Sequence, residues 1–552
     1  MRLPVALAPL RGPVYRGLWF AWLAANMTMW MNDVAAAWLM TSLTTSPVMV
    51  ALVQTASTLP VFLLGIPSGA LADIVDRRRY FASTQAWVSV NALVVATLSL
   101  LGLLSAPLLL ALTFVNGVGL AMRWPVFAAI VPSVVSRAEL PAALGLGGIS
   151  MNLSRIVAPI LAGGLISLVS PAAVFVLNAV LAGVGMVLIL RWRSTPSTSP
   201  LPGERFVGAM RTGLAFAMQS PRLQVVLARV FLFFVQAMGM LALLPLVAQQ
   251  MHGGGPWTFT VMMSCVGTGA IAISFYLPRM RALWSHDRLV RDASLIHAAA
   301  AALVILVPEI WVAIPGMIVV GAAWITVAQV LLLAAQTGLP DWVRARGMSI
   351  YQTSLMGGSA FGSLLWGQVA DLTSVRAAVL LASGFGLAVV VFGRRLALGA
   401  RDEIDFSPAT TRSYPEPAFE IGADAGPVMV TVEYRIDPAN AEAFAAVMRQ
   451  TRRARLRQGA LSWGLFRDST DAAHYIEYFV DENWVEHQRR LERFSAGDLD
   501  LRQKRLALHI GNEPPILKRY IGDALDVHGE PVPPGGGGTD LEPNPPKAPL
   551  GA

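Results

Sequence analysis

The chain of 552 residues is 55% hydrophobic and only 14% charged, whereas soluble domains usually carry about 25% charged residues. The apolar composition ends near Ala400, so the sequence predicts a membrane region followed by a water-exposed one. A net charge of +8 would favour a nucleic-acid partner in a soluble protein. Here the arginines lie in connections between apolar stretches, and we expect no nucleic acid to bind. The single cysteine, Cys265, excludes an intrachain disulfide and a cysteine-based metal site, and we expect neither metal nor cofactor.

Twelve consecutive stretches are apolar on all sides and long enough to cross the hydrocarbon core of a bilayer. They are residues 17–41, 47–72, 80–103, 107–131, 140–168, 171–190, 222–249, 256–278, 289–307, 309–336, 347–369 and 373–394. The segment before them, Met1–Gly17, lacks a signal-peptide cleavage pattern, so we expect the first stretch to remain a transmembrane helix. The sequence therefore predicts an all-α polytopic membrane protein with twelve transmembrane helices.

Arginine is concentrated in alternate connections between these stretches. Arg77–Arg79, Arg279–Arg291 and Arg344–Arg346 lie in three of the arginine-rich connections, whereas Thr41–Ser46 and Gln250–Gly255 contain neither lysine nor arginine. Because basic residues in short loops mark the cytoplasmic side, the pattern predicts that both termini are cytoplasmic. We expect a multi-pass protein of the bacterial inner membrane, in contact with lipid.

The longest break in the membrane region divides the stretches into six plus six. It begins with a linker rich in proline and serine, Ser194–Gly203, and continues as an amphipathic helix, Glu204–Gln219. We expect six-helix bundles at 1–193 and 222–396, joined by the cytoplasmic segment 194–221. Two similar halves around a central loop are typical of secondary transporters.

The polar end of the chain predicts a linker at 397–427, a compact domain at 428–522, and a tail at 523–552 that is disordered by composition. The predicted elements are strands at Val428–Ile436, Leu461–Arg467, His474–Val480 and Pro515–Ile521, with helices at Asp437–Arg457 and Glu482–Phe494. This β-α-β-β-α-β order is that of a small α+β ferredoxin-like domain.

The domain at 428–522 resembles the small dimeric α/β-barrel domains of the antibiotic-biosynthesis monooxygenase type. Trp463, His474, Trp484, Glu486 and His487 are candidates for lining a pocket. An enzymatic role stays open, but no nucleophile–base pair or metal-ligand spacing stands out, so we predict no catalytic residues. A dimerisation or regulatory module is favoured.

Between the second and third stretches lies a motif of small, acidic and basic residues. Gly65 and Gly69 are four residues apart and leave a smooth helix face for close packing. Asp73 ends the helix and can pair with an arginine or with the positive end of another helix. Arg77 and Arg78 follow, and an ordinary orienting basic loop is the alternative interpretation.

This segment resembles the loop signature of the major facilitator superfamily, with Gly69, Asp73, Arg77 and Arg78 at matching positions. Ile74 stands where a basic residue is usual, and Asp76 stands where glycine is usual. In that family the loop aspartate helps to lock the two halves during alternating access. The resemblance implies this role for Asp73.

The fifth stretch contains Asn152, Pro159, Gly163 and Gly164, a combination that gives a kinked helix with close packing. It resembles the glycine–proline segment typical of exporters in the same superfamily, with Ala158 in place of the glycine. A kink without special function is the alternative.

Three further segments narrow the branch. Asp33–Trp38, Pro132–Gly164 and Val343–Met348 resemble the bacterial branch that includes the enterobactin exporter and macrolide and multidrug exporters. The resemblance extends over residues 10–522 and implies export of a small organic molecule.

Three ionisable residues lie deep in the apolar stretches: Asp33, Arg123 and Arg155. A charge inside a bilayer is costly and is a functional candidate by default. A carboxylate in a low-dielectric site favours its neutral form, so Asp33 could take up and release a proton. A structural ion pair between Asp33 and either arginine is the alternative. The two interpretations are compatible, because competition between a proton and Arg123 or Arg155 for Asp33 would itself be a switch, and we expect all three residues to take part in proton coupling.

The superfamily resemblance implies that the first, fourth, seventh and tenth helices line the pathway. Asn32, Asn116, Gln236 and Gln329 are then the lining candidates. Each could instead form a hydrogen bond to a neighbouring helix.

These features predict a proton-coupled exporter of small organic molecules of the drug, macrolide or siderophore type, and not an enzyme. One alternative is an importer or symporter. The other is a membrane-tethered enzyme or sensor that acts through residues 428–521.

Overall fold

The computed structural model describes residues 5–136, 139–192, 206–393, 405–407, 409, 417–511 and 513–522. The predicted tail at 523–552 and most of the predicted linkers lie outside these residues. The chain divides into two compact units. The first contains Met1–Ala217 and Pro221–Glu403, and the second contains Met218–Ser220 and Ile404–Ala552.

The first unit is helical throughout its described part. Its elements are a short 3-10 helix at Val5–Arg11, followed by α1 (Pro13–Leu43), α2 (Pro47–Ile74), α3 (Arg77–Leu100), α4 (Ala106–Val134), α5 (Leu140–Leu168), α6 (Pro171–Leu190), α7 (Phe206–Gln219), α8 (Pro221–Leu241), α9 (Leu244–Gln249), α10 (Pro256–Leu283), α11 (His286–Leu306), α12 (Ile310–Thr337), α13 (Asp341–Leu372) and α14 (Val375–Phe392). Several helices begin at proline, which lacks the N–H that the first helical turn leaves unpaired. The Ser170 hydroxyl accepts a hydrogen bond from the Ala173 N–H at the start of α6.

The predicted stretch 222–249 is not one continuous helix. It breaks after Leu241, and α9 restarts at Leu244 with Pro245 in its first turn. Proline cannot continue a helix from the preceding turn, but it fits the first turn of a new one. The predicted amphipathic helix is present as α7.

Nine helical segments of the described chain are long and apolar enough to cross a membrane by length and composition. They are Pro47–Gly65, Arg77–Leu100, Ala106–Arg123, Ala142–Leu168, Pro171–Leu190, Pro221–Gln249, Pro256–Leu283, His286–Leu306 and Ile310–Thr337, with Val375–Val391 as a shorter apolar helix. The predicted first, eleventh and twelfth stretches are helical as α1, α13 and α14 but fall outside the nine. In α1, polar residues such as Asn26, Asn32 and Asp33 dilute the apolar sequence.

Two helix pairs provide most of the contact between the first half (α1–α6) and the second half (α8–α14): α2 packs against α13, and α5 packs against α10. Within the first half, Trp22 stacks on Phe127 with their ring centroids 3.8 Å apart, and Phe81 packs beside both rings. These aromatic residues centre a buried cluster that fixes α1, α3 and α4 together.

The second unit contains a four-stranded antiparallel sheet. Its strands are β1 (Val428–Arg435), β2 (Ser462–Arg467), β3 (His474–Asp481) and β4 (Ile516–Ile521), in the spatial order β2-β3-β1-β4. Its helices are α15 (Ala441–Arg457), α16 (Trp484–Glu492) and α17 (Ala496–Leu508). The four predicted strands are confirmed within two residues, but α17 was not predicted. Ser495 and Asp498 form a capping box at its start, which is a sequence signal for a helix.

A buried charged network holds the helix-facing side of this sheet. Glu477 accepts hydrogen bonds from Arg455 Nε at 3.0 Å, Trp463 Nε1 at 3.1 Å and the Tyr434 hydroxyl at 3.0 Å. Burial alone would raise the pKa of Glu477, but the charges of Arg455 and Arg505 and these hydrogen bonds hold it below its usual value. This network therefore keeps the buried carboxylate ionised.

The residues predicted to line a pocket in this unit take part in separate interactions instead. Trp463 is bound to Glu477, and His487 contacts Asp481 at 2.8 Å. His474 lies 3.3 Å from Asp468, and Glu486 pairs with Arg489 and Arg493. Trp484 stacks on His487 with the ring centroids 5.3 Å apart. The small cavity between α15 and α17 is lined by other residues, among them Thr451, Arg455 and Arg505.

Candidate functional site

Asp33 lies in the middle of α1 and is partly buried. Its Oδ1 accepts a hydrogen bond from the Ser57 hydroxyl of α2 at 3.1 Å. Among the described residues, Asp33 has this neutral hydroxyl and no cation as its partner, so no paired positive charge holds the carboxylate ionised there. A carboxyl group in such a site has the chemistry to take up or release a proton.

Arg123 of α4 is fully buried in the first half. Its guanidinium donates hydrogen bonds to the Ala25 carbonyl and, at 3.7 Å, to the Met29 sulfur. It also lies 5.4 Å from the centroid of the Trp22 ring. These contacts tie α4 to α1, which makes Arg123 an anchor inside the first half.

Arg155 of α5 is held by aromatic rings from both halves. Its guanidinium carbon lies 5.3 Å from the ring centroid of Trp30 in α1 and 5.0 Å from that of Trp324 in α12. A cation near an indole face gains about 0.5–2 kcal/mol, more when water is excluded. Phe234 of α8 contacts the Trp324 ring edge-on, at 6.2 Å between centroids, and supports its position.

The three deep charges therefore have three separate sets of partners. Within the residues that the structure describes, Asp33 forms no ion pair with Arg123 or Arg155. The structural ion pair considered as an alternative from the sequence is absent from this arrangement of the described chain.

The motif glycine in α5 lies at a close crossing of the two halves. A Cβ placed on Gly163 would lie 1.7 Å from Oγ1 of Thr260 in α10, so only glycine fits. Further along the same crossing, a Cβ on Gly267 would lie 3.1 Å from the backbone oxygen of Arg155. Pro159 is buried in α5 between these points. Asn152 lies in α5, but its side chain is outside the described residues.

The second junction between the halves runs along α2 and α13. The Thr55 hydroxyl donates to the Ala360 carbonyl at 3.1 Å, and the Ser46 hydroxyl donates to Asp371 at 2.9 Å. A Cβ added to Gly65 would lie 4.0 Å from Oγ1 of Thr353 in α13. The first glycine of the loop motif thus faces the opposite half.

The end of the loop motif forms contacts at the start of α3 and the end of α6. Gly69 and Asp73 lie in α2, but the surroundings of both residues are outside the part of the chain that the structure describes. Asp76 caps α3 by accepting hydrogen bonds from the N–H groups of Arg78 and Arg79, and Arg77 is the first residue of that helix. Arg78 donates to the Leu190 carbonyl at the end of α6, where the helix dipole favours a cation.

The lining candidates lie on the predicted helices but differ in their contacts. Asn32 in α1 and Asn116 in α4 are buried, and Gln329 in α12 is partly buried. Gln236 in α8 donates to the Ser294 carbonyl of α11 at 3.2 Å. This bond matches the packing alternative for Gln236.

Three residues at or near these contacts were not predicted from the sequence: Ser57, Trp324 and His297. Ser57 and Trp324 are identified only by their contacts with Asp33 and Arg155, which are distant in the sequence. His297 is buried in α11, 5.5 Å from Phe233 by ring centroids. His297 lies in the apolar stretch 289–307, and an ionisable residue in such a stretch could have been recognised from the sequence as a functional candidate.

A helical protein whose halves meet along two helix pairs, with charged side chains buried near those junctions, has the architecture of a polytopic membrane transporter. The family model described as transmembrane secretion effector, within the major facilitator superfamily, matches residues 5–526. The chain belongs to that family.

Two curated relatives match parts of the chain. The Staphyloferrin A transporter of Staphylococcus aureus (strain NCTC 8325 / PS 47) is 20% identical over 255 residues, 46% of this chain and 63% of that protein. Macrolide efflux protein A of Streptococcus pyogenes is 24% identical over 242 residues, 43% of this chain and 60% of that protein. The matches thus span about three fifths of the length of each relative.

Solved structures show the same fold. The nucleoside transporter NupG matches with a TM-score of 0.57 and 11% identity, over 69% of this chain and 98% of that one. A bacterial homologue of the human lysosomal transporter Spinster, in an inward-facing and unoccupied conformation, matches with a TM-score of 0.53 and 15% identity, over 72% and 96%.

Proposed function

We propose that this protein is a secondary transporter of the bacterial inner membrane that exports small organic molecules in exchange for protons. The observation that carries the proposal is the deep carboxylate of Asp33, which has a serine hydroxyl and no cation as its partner among the described residues. A carboxylate that must change its charge during a transport cycle needs such a site.

The two junctions between the halves supply the moving parts. Rocking of one half against the other around a central site is the general mechanism of transporters built from repeats. Contacts along α2–α13 and α5–α10 would separate on one side of the membrane and close on the other. We propose that α1, α13 and α14 also cross the membrane, giving twelve spans with both termini cytoplasmic.

Export is favoured over import by two observations. The tight glycine crossing at Gly163 occupies the position of the exporter-like motif. One curated relative is named a macrolide efflux protein, and another is named a Staphyloferrin A transporter. Candidate substrates are therefore drugs, macrolides or siderophores.

Transport direction can be measured in membrane vesicles of both orientations. We expect radiolabelled macrolides or siderophores to accumulate in inside-out vesicles when the lumen is acidified, because export from the cytoplasm is then uptake into the vesicle. A protonophore should abolish the accumulation, and vesicles without the protein provide the control. Accumulation only in right-side-out vesicles would establish an importer instead.

We further propose that the second unit is a ferredoxin-like module that pairs two copies of the chain through the open face of its sheet. The strand order β2-β3-β1-β4, with helices on one side, supports this fold. Met429, Phe466, Ile516 and Tyr520 are exposed on the opposite side, and Phe466 stacks on Tyr478. Apolar side chains exposed together on a sheet face, here beside the ion pair of Lys518 and Glu433, are typical of an interface.

Introducing a charge on this face should separate the pair. We expect Phe466→Glu to convert dimers of the full-length protein in detergent to monomers, measured by light scattering after size-exclusion chromatography. Gln450→Glu adds the same carboxylate on the exposed side of α15 and should leave the dimer intact. A wild-type protein that is monomeric at all concentrations would refute the pairing.

A further inference from the structure

Arg155 and the two indole rings beside it carry buried hydrogen-bond donors that have no acceptor among the described residues. Within the described chain, the Nε and Nη1 atoms of Arg155 are buried without a hydrogen-bond partner, and so are the Nε1 atoms of Trp30 and Trp324. Buried donors are nearly always satisfied in folded proteins, so a group of them around one guanidinium requires an explanation. All four atoms carry protons to donate, and none can accept one.

No carboxylate among the described residues forms an ion pair with Arg155 either. The acidic residue of α1 is Asp33, three residues after Trp30. Its carboxylate accepts a hydrogen bond from the Ser57 hydroxyl. The aromatic rings stabilise the cation only through their faces. An acceptor group that carries negative charge would satisfy both the donors and the charge.

The position of this cluster fits a transported ligand. Trp30 and Arg155 belong to the first half, whereas Trp324 belongs to the second. The backbone of Arg155 lies against Gly267 at the crossing of α5 and α10. A ligand bound here would contact both halves, so its contacts would change when the halves move relative to each other.

We propose that Arg155, Trp30 and Trp324 form a binding site for the carboxylate of an organic anion, which has an apolar or aromatic body beside the indole rings. This inference rests on the proposed transport function and names its substrate class. The guanidinium would donate to the carboxylate oxygens, and each indole N–H supplies a further donor. Neutral molecules of the same shape would leave the guanidinium uncompensated.

Benzoate and benzamide are a matched pair for the test, because they share size and shape but differ in charge. We would measure binding of each radiolabelled compound by equilibrium dialysis with the full-length protein in phosphatidylcholine nanodiscs. For the wild type we expect benzoate to bind about tenfold more tightly than benzamide, the usual difference between a charged and a neutral hydrogen bond. Arg155→Gln should remove this preference.

Two conservative variants separate the proposal from misfolding. Arg155→Lys keeps the charge and should keep most of the preference for benzoate. Trp324→Phe keeps an aromatic ring but removes the N–H donor, and should weaken benzoate binding by a few fold and benzamide binding less, because a carboxylate is the stronger acceptor. Equal binding of both compounds by the wild type, absence of benzoate binding, or an unchanged preference in Arg155→Gln would overturn the site.

The dialysis requires neither a proton gradient nor movement of the halves. A preference for benzoate that depends on Arg155, together with absent proton-driven transport, would therefore refute the transport mechanism and keep the anion site. Proton-driven transport without any such preference would refute the anion site alone.

Discussion

Replacing Asp33 with asparagine is expected to abolish transport driven by a pH gradient while leaving the protein folded. Asparagine has nearly the same shape and can still accept a hydrogen bond from Ser57, which lies 3.1 Å from the carboxylate oxygen. It cannot take up or release a proton. Substrate accumulation in acid-loaded inside-out vesicles should therefore fall to the level of vesicles without the protein.

Coupling and substrate movement are separable in this variant. Exchange of labelled for unlabelled substrate across the membrane needs no net proton transfer, and it should continue in Asp33→Asn. Asp371→Asn is the matched control, because Asp371 also accepts from a serine, Ser46, but lies exposed near the end of α13. That variant should keep gradient-driven transport. Normal gradient-driven accumulation in Asp33→Asn would show that Asp33 is a structural residue.

Burial of charge gives a physical reason to expect that Asp33→Asn folds. The desolvation cost of an ionised carboxylate in a low-dielectric environment is much larger than that of a neutral amide. The described surroundings of Asp33 provide a hydroxyl and no cation to offset that cost. The variant should thus be at least as resistant to thermal unfolding as the wild type.

Helix boundaries were largely predictable because they depend on local chemistry. The stretch 171–190 coincides with α6, since Pro171 and Ser170 mark its start in the sequence itself. The strands of the second unit follow alternating patterns that the residues also display directly. The capping box at Ser495 was equally local and could have revealed α17.

Partnerships between distant residues were not predictable in the same way. The depth of Asp33, Arg123 and Arg155 in their helices follows from counting residues, but their contacts depend on which helices adjoin. The alternative interpretation, an ion pair of Asp33 with Arg123 or Arg155, assumed that opposite charges inside the bilayer lie side by side. In the structure the aromatic rings of Trp22, Trp30 and Trp324 take the place of a carboxylate beside the two arginines. No pattern in a single sequence distinguishes these outcomes.

Gly163→Ala is expected to push the two halves apart at the crossing of α5 and α10. The new methyl carbon would fall 1.7 Å from the Thr260 hydroxyl oxygen and 2.3 Å from its methyl carbon, so the helices must separate. Overpacking of this kind costs about 1–3 kcal/mol, which corresponds to roughly a 5–150-fold shift between two conformations. We expect slow transport because the variant rarely reaches the conformation in which this crossing is closed.

The adjacent Gly164 provides a stringent control, because a Cβ there meets nothing within 4 Å. Spin labels on cysteines at Leu168 and Trp257, in a Cys265→Ser background, would report the distance between the exposed ends of α5 and α10. Gly163→Ala should shift the distance distribution to longer values, whereas Gly164→Ala should match the parent. Adding Thr260→Gly removes the clashing side chain and should restore both the distance and part of the transport rate. If Gly163→Ala and Gly164→Ala behave alike, this crossing does not control the movement of the halves.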